Sequence, residues 1–292
     1  MGEQGQGDGV SDLRELLFFY ADSGADEALE DEPVNRLAPK QPAPPQPAEP
    51  AVGDRDAPAP PRQAAPARTV PAAPRPPTGP VSAAVPDERQ AERARELARS
   101  AGSLEDLRDL LADFDGCNLK FTAKNLAFSD GDPAAEVMLV GEAPGREEDI
   151  QGLPFVGRSG KLLDRMLAAI GLDRGKAYIA NVIPWRPPGN RTPTPLETEI
   201  CRPFIERQIE LAAPKVLVTL GGPSTKALLR TQEGILRMRG NWRTHITASG
   251  VEIPTMPTLH PAYLLRNPAH KRLAWRDFLA LKLKLRELKD DA

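Results

Sequence analysis

The chain has 292 residues, enough for one domain of about 200 residues and a tail, and no apolar run approaches the ~20 residues that span a bilayer. Its net charge of -3 would argue against a nucleic-acid partner if it described one body, but it does not. Residues 1–87 hold 7 Lys and Arg against 14 Asp and Glu, whereas residues 151–292 hold 23 against 12, so the C-terminal half is basic enough to meet phosphates.

The Gly- and Gln-rich residues 1–10 lack the basic start and apolar core of a secretory signal, which implies a cytoplasmic protein. Cys117 and Cys201 are then free thiols rather than a disulfide. Residues 12–22 carry Leu13, Leu16, Leu17 and Tyr20 at helical spacing and predict a short amphipathic helix, near 11–22, that docks either a protein partner or the main domain. Residues 37–86 contain 16 of the 32 prolines and predict a stiff, disordered linker, too poor in large apolar groups to offset chain entropy.

Globular patterning begins at residue 88. Residues 88–114 predict one or two helices broken at Gly102 and Ser103, with Ser103 as a helix start and Asp106 in its first turn. Apolar runs at 137–140, 178–182, 216–220 and a proline-interrupted 253–259 predict strands. Helices follow them at about 159–170, 196–212, 223–230 and 270–288. This alternation predicts an α/β fold: a three-layer α/β/α domain over 88–292 with a central four-stranded parallel sheet, preceded by a disordered Pro/Ala-rich tail over 1–87.

In open parallel sheets, ligands bind beyond the carboxyl ends of the strands. Those ends deliver Gly141-Glu142-Ala143-Pro144-Gly145, then Asn181 with Arg186-Pro187-Pro188-Gly189-Asn190-Arg191, then Gly221-Gly222-Pro223-Ser224, then His260-Pro261-Ala262-Tyr263-Leu264-Leu265-Arg266. Gly157-Arg158-Ser159-Gly160-Lys161 imitates a phosphate loop, but Phe155 and Leu162 stand where a Walker A motif needs glycine and a hydroxyl residue. It leads into a helix N-terminus, which can still cradle a phosphate. His245 is expected in a turn and His270 at a helix start, both solvated.

Those strand-end motifs, with Pro154-Phe155-Val156-Gly157 and Ala180-Asn181-Val182, resemble the family 4, iron–sulfur uracil-DNA glycosylases over about residues 114–285. The resemblance implies an enzyme that flips uracil out of DNA and hydrolyses its bond to the sugar, leaving an abasic site in base excision repair. It implies a monomer in a bacterial cytoplasm, used at the nucleoid, with uracil-containing DNA as substrate and uracil as product. Phe155 would stack on the base. The Asn181 amide would pair with uracil N3–H and O4 and reject cytosine. Ala143 and Glu148 would line the base pocket, with Glu148 excluding the thymine methyl group. His260 would donate to O2 as charge develops, and Glu142 would position the attacking water. Arg158, Ser159, Lys161, Arg191 and Arg266 are candidate DNA contacts, with Tyr263 and Leu264 as an apolar wedge filling the gap left by the flipped nucleotide.

The family holds a [4Fe-4S] cluster on four cysteines. Here only Cys117 and Cys201 stand at matching positions, with Lys120 and Trp185 at the other two, so no cofactor is expected. Loss of those ligands keeps a second reading open, a lesion-recognition module that binds uracil-DNA with little or no cleavage, and related base choices such as hypoxanthine also stay open.

Overall fold

A computed structural model describes residues 88–290; the tail and the helix near 11–22 lie outside the described residues. Two helices, α1 (Glu88–Ser100) and α2 (Leu104–Asp113), open the domain. Ser103 caps α2 by accepting the Asp106 N–H, which satisfies one of the orphan donors at a helix start. The break at Gly102 and Ser103 is therefore where the sequence puts it. A short α3 (Leu119–Thr122) leads to the sheet.

The sheet has six strands in the order β1-β3-β2-β4-β6-β5, which corrects the expected four. The four foreseen strands are β2 (Val137–Gly141), β3 (Tyr178–Asn181), β4 (Val216–Leu220) and β6 (Glu252–Thr258), and they pair in parallel. Two short antiparallel strands, β1 (Asp130–Gly131) and β5 (Arg243–Ile246), cover the edges. Neither is legible from composition: β1 is two residues long, and β5 reads Arg-Thr-His-Ile with only His245 buried. His245 is thus not a solvated turn residue. It donates through Nδ1 to the Leu228 carbonyl at 3.0 Å. His270 is half-buried, with Nδ1 2.7 Å from the Tyr263 hydroxyl.

Period-two alternation sorts the strand side chains onto two faces. Met138, Val140, Tyr178, Ala180 and Leu217 pack against α1, α2 and α6 (Pro195–Ala212). Val137, Leu139, Ile179, Val216, Val218 and Met256 pack against α5 (Arg158–Ala169) and α10 (Lys271–Asp290) through Leu163, Leu167, Phe278 and Leu281. Burial on both faces is what near-continuous apolar parallel strands require. Shorter helices complete the domain: α4 (Arg146–Gln151), α7 (Gly222–Leu229), α8 (Ile235–Met238) and α9 (Pro261–Arg266). No helix among the described residues is long and apolar enough to cross a membrane.

The chain leaves β2 for β3 on one side and returns for β4 on the other. That reversal opens a crevice at the carboxyl ends of the strands. One buried ion pair braces the last strand there. Asp277 of α10, 1% exposed, accepts from Arg239 and from the Thr258 hydroxyl at 2.7 Å, and Arg239 also reaches the Leu273 carbonyl at 2.9 Å. Removing one partner of a buried pair leaves an uncompensated charge. We expect Arg239→Ala to lower the free energy of unfolding at pH 7 by about 3–5 kcal/mol in urea titrations, and Asp277→Asn in that background to recover part of the loss.

Candidate active site

The crevice is a cleft of about 490 Å³ whose walls come from all four parallel-strand ends. Its floor is set by strand register. Gly141 pairs with Asn181 across β2 and β3, and a Cβ at Gly141 would lie 2.5 Å from both Asn181 Oδ1 and Phe155 Cζ. Only glycine lets these two side chains meet there. Asn181 is 4% exposed, and its Oδ1 has no hydrogen-bond partner among the described residues. A buried acceptor left unpaired costs about 1–3 kcal/mol, so the cleft holds an unmet demand for a donor.

Phe155 forms the adjacent wall. Its φ is +55°, a left-handed conformation that costs a non-glycine residue about 1–2 kcal/mol. The ring stacks on His260, with centroids 5.4 Å apart and planes at 29°. His260 ends the β6 loop and caps α9, its Nδ1 accepting from the Ala262 N–H at 3.1 Å. An accepting Nδ1 puts the ring proton of the neutral imidazole on Nε2. Burial first, and the nearby Arg266 second, lower its pKa to about 4. His260 is therefore a neutral hydrogen-bond donor at physiological pH.

Glu142 also lines the cleft, and burial alone raises its pKa above the ordinary 4.5. A drier carboxylate is a stronger base. Glu148 lines the cleft, and its carboxylate has a second task. Both its oxygens are engaged, accepting from the Gly145 N–H at 3.1 Å and the Gly157 N–H at 2.9 Å. It clamps the loop after β2 to the loop before α5.

The other expected residues divide. Ala143, Ser159, Arg191, Tyr263 and Arg266 line the cleft. Arg158 and Lys161 are exposed on the first turn of α5, outside it. Gly160 there is no phosphate-loop glycine: a Cβ would fall 1.6 Å from the Phe155 carbonyl, so its task is close packing. Leu264 is corrected. It is 1% exposed and packs with Leu259 and Ala274, because helical spacing in α9 turns Tyr263 and Arg266 to the cleft and Leu264 inward. It is not available as a wedge.

Glu197 was not foreseen. Buried at the start of α6, it grips Arg191 with two bonds of 2.9 and 2.6 Å and accepts the Thr194 N–H at 2.7 Å. The Arg191 guanidinium holds its carboxyl below the usual range. The signal was present as Thr194-x-x-Glu197, a capping box. Arg191 is thus a fixed wall of the cleft with part of its fork already committed.

The positions matching the family's cluster ligands do not fit that group. Cys201 Sγ donates to Cys117 Sγ at 3.7 Å, both buried. Sharing that proton with Cys117, and then burial, push the Cys201 thiol well above its usual range. Lys120 is an ammonium paired with Asp115, and Trp185 is a core residue at 2% exposure. Among the described residues no group of three or more His, Cys, Asp or Glu is placed to hold a metal ion. Two thiols, an ion-paired lysine and an indole do not make a four-thiolate set.

Residues 128–280 match the model of the uracil DNA glycosylase superfamily. The type-4 uracil-DNA glycosylase of Sulfurisphaera tokodaii is 40% identical over 194 residues, covering 64% of this chain and 84% of that relative. Its counterpart in Archaeoglobus fulgidus is 38% identical over 180 residues, covering 60% of this chain and 90% of the relative. That of Thermotoga maritima is 40% identical over 156 residues, covering 53% and 79%.

Two outcomes follow from this geometry. In an NMR titration, His260 should keep the Nε2–H tautomer and stay neutral through pH 6.5, taking up a second proton only near pH 4; titration near 6.5 would contradict its burial. Protein purified without oxygen should carry iron far short of a four-iron cluster and lack its visible absorbance.

Proposed function

The chain belongs to the uracil DNA glycosylase superfamily, and from that membership we propose that it excises uracil from DNA by the following use of its cleft. The observation that carries the proposal is the buried Asn181 Oδ1, without a partner among the described residues, in one cleft with an aromatic ring and a neutral imidazole donor stacked on each other. A base inside a duplex is out of reach, so the nucleotide is extruded first. Phe155 then stacks on the base, gaining about 1–3 kcal/mol without selecting among bases. Selection falls to Asn181. Uracil N3–H donates to Oδ1 and O4 accepts from the amide nitrogen. Cytosine sets an acceptor against Oδ1 and a donor against the amide nitrogen, and the unmet groups reject it.

Cleavage breaks the bond between C1′ and N1, and the electron pair leaves on uracil, its charge shared between O2 and O4. His260 Nε2–H donates to O2 and stabilises that charge. A neutral donor serves better than an imidazolium here, since it keeps its proton when the product leaves. Water adds to C1′ and Glu142 takes its proton, leaving an abasic site and the uracil anion, which recovers that proton through solvent to give free uracil. Arg158, Lys161 and Arg266 contact the flanking phosphates, and α5 offers its N-terminal N–H groups to one of them. Tyr263 stands at the rim beside the extruded nucleotide. None of these steps draws on a cluster, and we propose that Cys117, Cys201 and Trp185 serve packing in its place.

The test is cleavage of an oligonucleotide bearing one uracil, followed by alkali to break abasic sites. Wild type should break the strand at uracil, and His260→Ala should lower kcat by about 10²–10³, the usual effect of deleting one such donor. Asn181→Ala should lower kcat/KM comparably. Specific binding to uracil-DNA without breakage, or breakage undiminished in both variants, would overturn the proposal. The pH profile gives a second check. Glu142 works as carboxylate, so kcat/KM should fall as the pH is lowered through a value above 4.5, and His260 should add no inflection of its own near 6.5. Glu142→Gln should remove that limb.

A further inference from the structure

Phe155 holds its ring on His260 from a backbone conformation that most residues avoid, so something outside the cleft must fix it. The 3₁₀ turn Arg174–Lys176, just ahead of β3, supplies it. Arg174 donates through its terminal nitrogens to the Phe155 carbonyl, to the Pro154 carbonyl at 3.3 Å and to Asp130 of β1. Its Nε donates to Asp164 of α5 at 2.9 Å. The two carboxylates orient the guanidinium plane, and the plane delivers its remaining donors to the two carbonyls. The turn itself is tied down, because the Asp132 N–H donates to the Arg174 carbonyl at 3.2 Å. Arg174 is not among the residues lining the cleft.

We propose that Arg174 is a positioning residue for base binding: it pins the Phe155 peptide so that the ring is presented flat to the extruded uracil. The claim rests on the uracil-excision reading of the cleft. Four simultaneous partners spread over Nε and both terminal nitrogens match a rigid five-donor fork, whereas a lysine ammonium is a point donor that cannot hold all of them. Loss of the fork releases the φ of +55° toward ordinary values and tilts the ring away from His260.

The test compares Arg174→Lys, with Arg174→Gln as a second variant, against Arg207→Lys. Arg207 also spans a carbonyl, that of Ala101, and a carboxylate, Glu210, but it does not line or border the cleft. Arg174→Lys should weaken inhibition by free uracil and raise KM for uracil-DNA by about tenfold, a partial loss of one base–aromatic stack, with kcat changed less. In a Phe155→Leu background it should add no further loss. Arg207→Lys should leave these constants unchanged at a comparable drop in Tm.

A readout independent of cleavage is the NMR shift of the His260 ring protons, which the Phe155 ring current sets at 5.4 Å. Only three histidines compete for assignment. Those shifts should move in Arg174→Lys and stay put in Arg207→Lys. Unmoved shifts, or losses that multiply with Phe155→Leu, would overturn the role of Arg174. A wild type that fails to cleave uracil-DNA would overturn the reading of the cleft instead, while the shifts would still decide whether Arg174 sets the ring.

Discussion

Four parallel strands with both faces covered leave polar chemistry one place to go, the strand ends. Every interior residue of β2 and β4 is buried, and a polar group there without a partner costs several times the thermal energy. The carboxyl ends escape that constraint, and the reversal of strand order between β3 and β4 opens them into a cleft. Glu142, Asn181, Gly221 and His260 all reach the cleft because each ends a strand or follows one. The sheet thus makes the site, and a buried polar atom left without a partner among the described residues at one of those strand ends, Asn181 Oδ1, marks where a ligand completes the structure.

Oδ1 can only accept, so completion has to come from a hydrogen-bond donor. Phe155 and His260 form one face of the space and Glu142 stands on its rim. Each group is preset. Gly141 admits the Phe155 ring, the Ala262 N–H fixes the His260 tautomer, Glu148 joins the two loops that carry Glu142 and Phe155, and Glu197 immobilises Arg191. Preorganised dipoles of this kind stabilise developing charge without rearranging at the moment of reaction. Burial serves both titratable groups. It keeps His260 neutral and makes Glu142 more basic, which are the states that leaving-group stabilisation and water activation require.

Much of this was legible because it depends on local rules. Long apolar runs located four strands to within a residue or two, and the rule that ligands gather at strand ends located the cleft. What escaped depends on tertiary packing. The edge strands β1 and β5 are too short and too polar to show a period, and exist because neighbouring strands offer them hydrogen bonds. The inward turn of Leu264 is set by the phase of α9, whose start at Pro261 fixes which residues face the cleft. Glu148 reads as a loop carboxylate until the two glycine N–H groups are brought to it. Arg174 gave no signal at all, since its partners lie up to 44 residues away in sequence. The resemblance to cluster-bearing relatives supplied roles for residues. The two retained cysteines show where that likeness stops: a buried thiol pair, an ion-paired lysine and a core tryptophan fill the volume with contacts of their own.

The central claim is that the Asn181 amide reads the base edge, and binding of free bases to ¹⁵N-labelled protein tests it directly. On addition of uracil the Asn181 side-chain amide protons should move downfield as they donate to O4, while cytosine at the same concentration leaves them in place. Uracil that binds to saturation without shifting that amide, or cytosine that shifts it equally, would contradict the account.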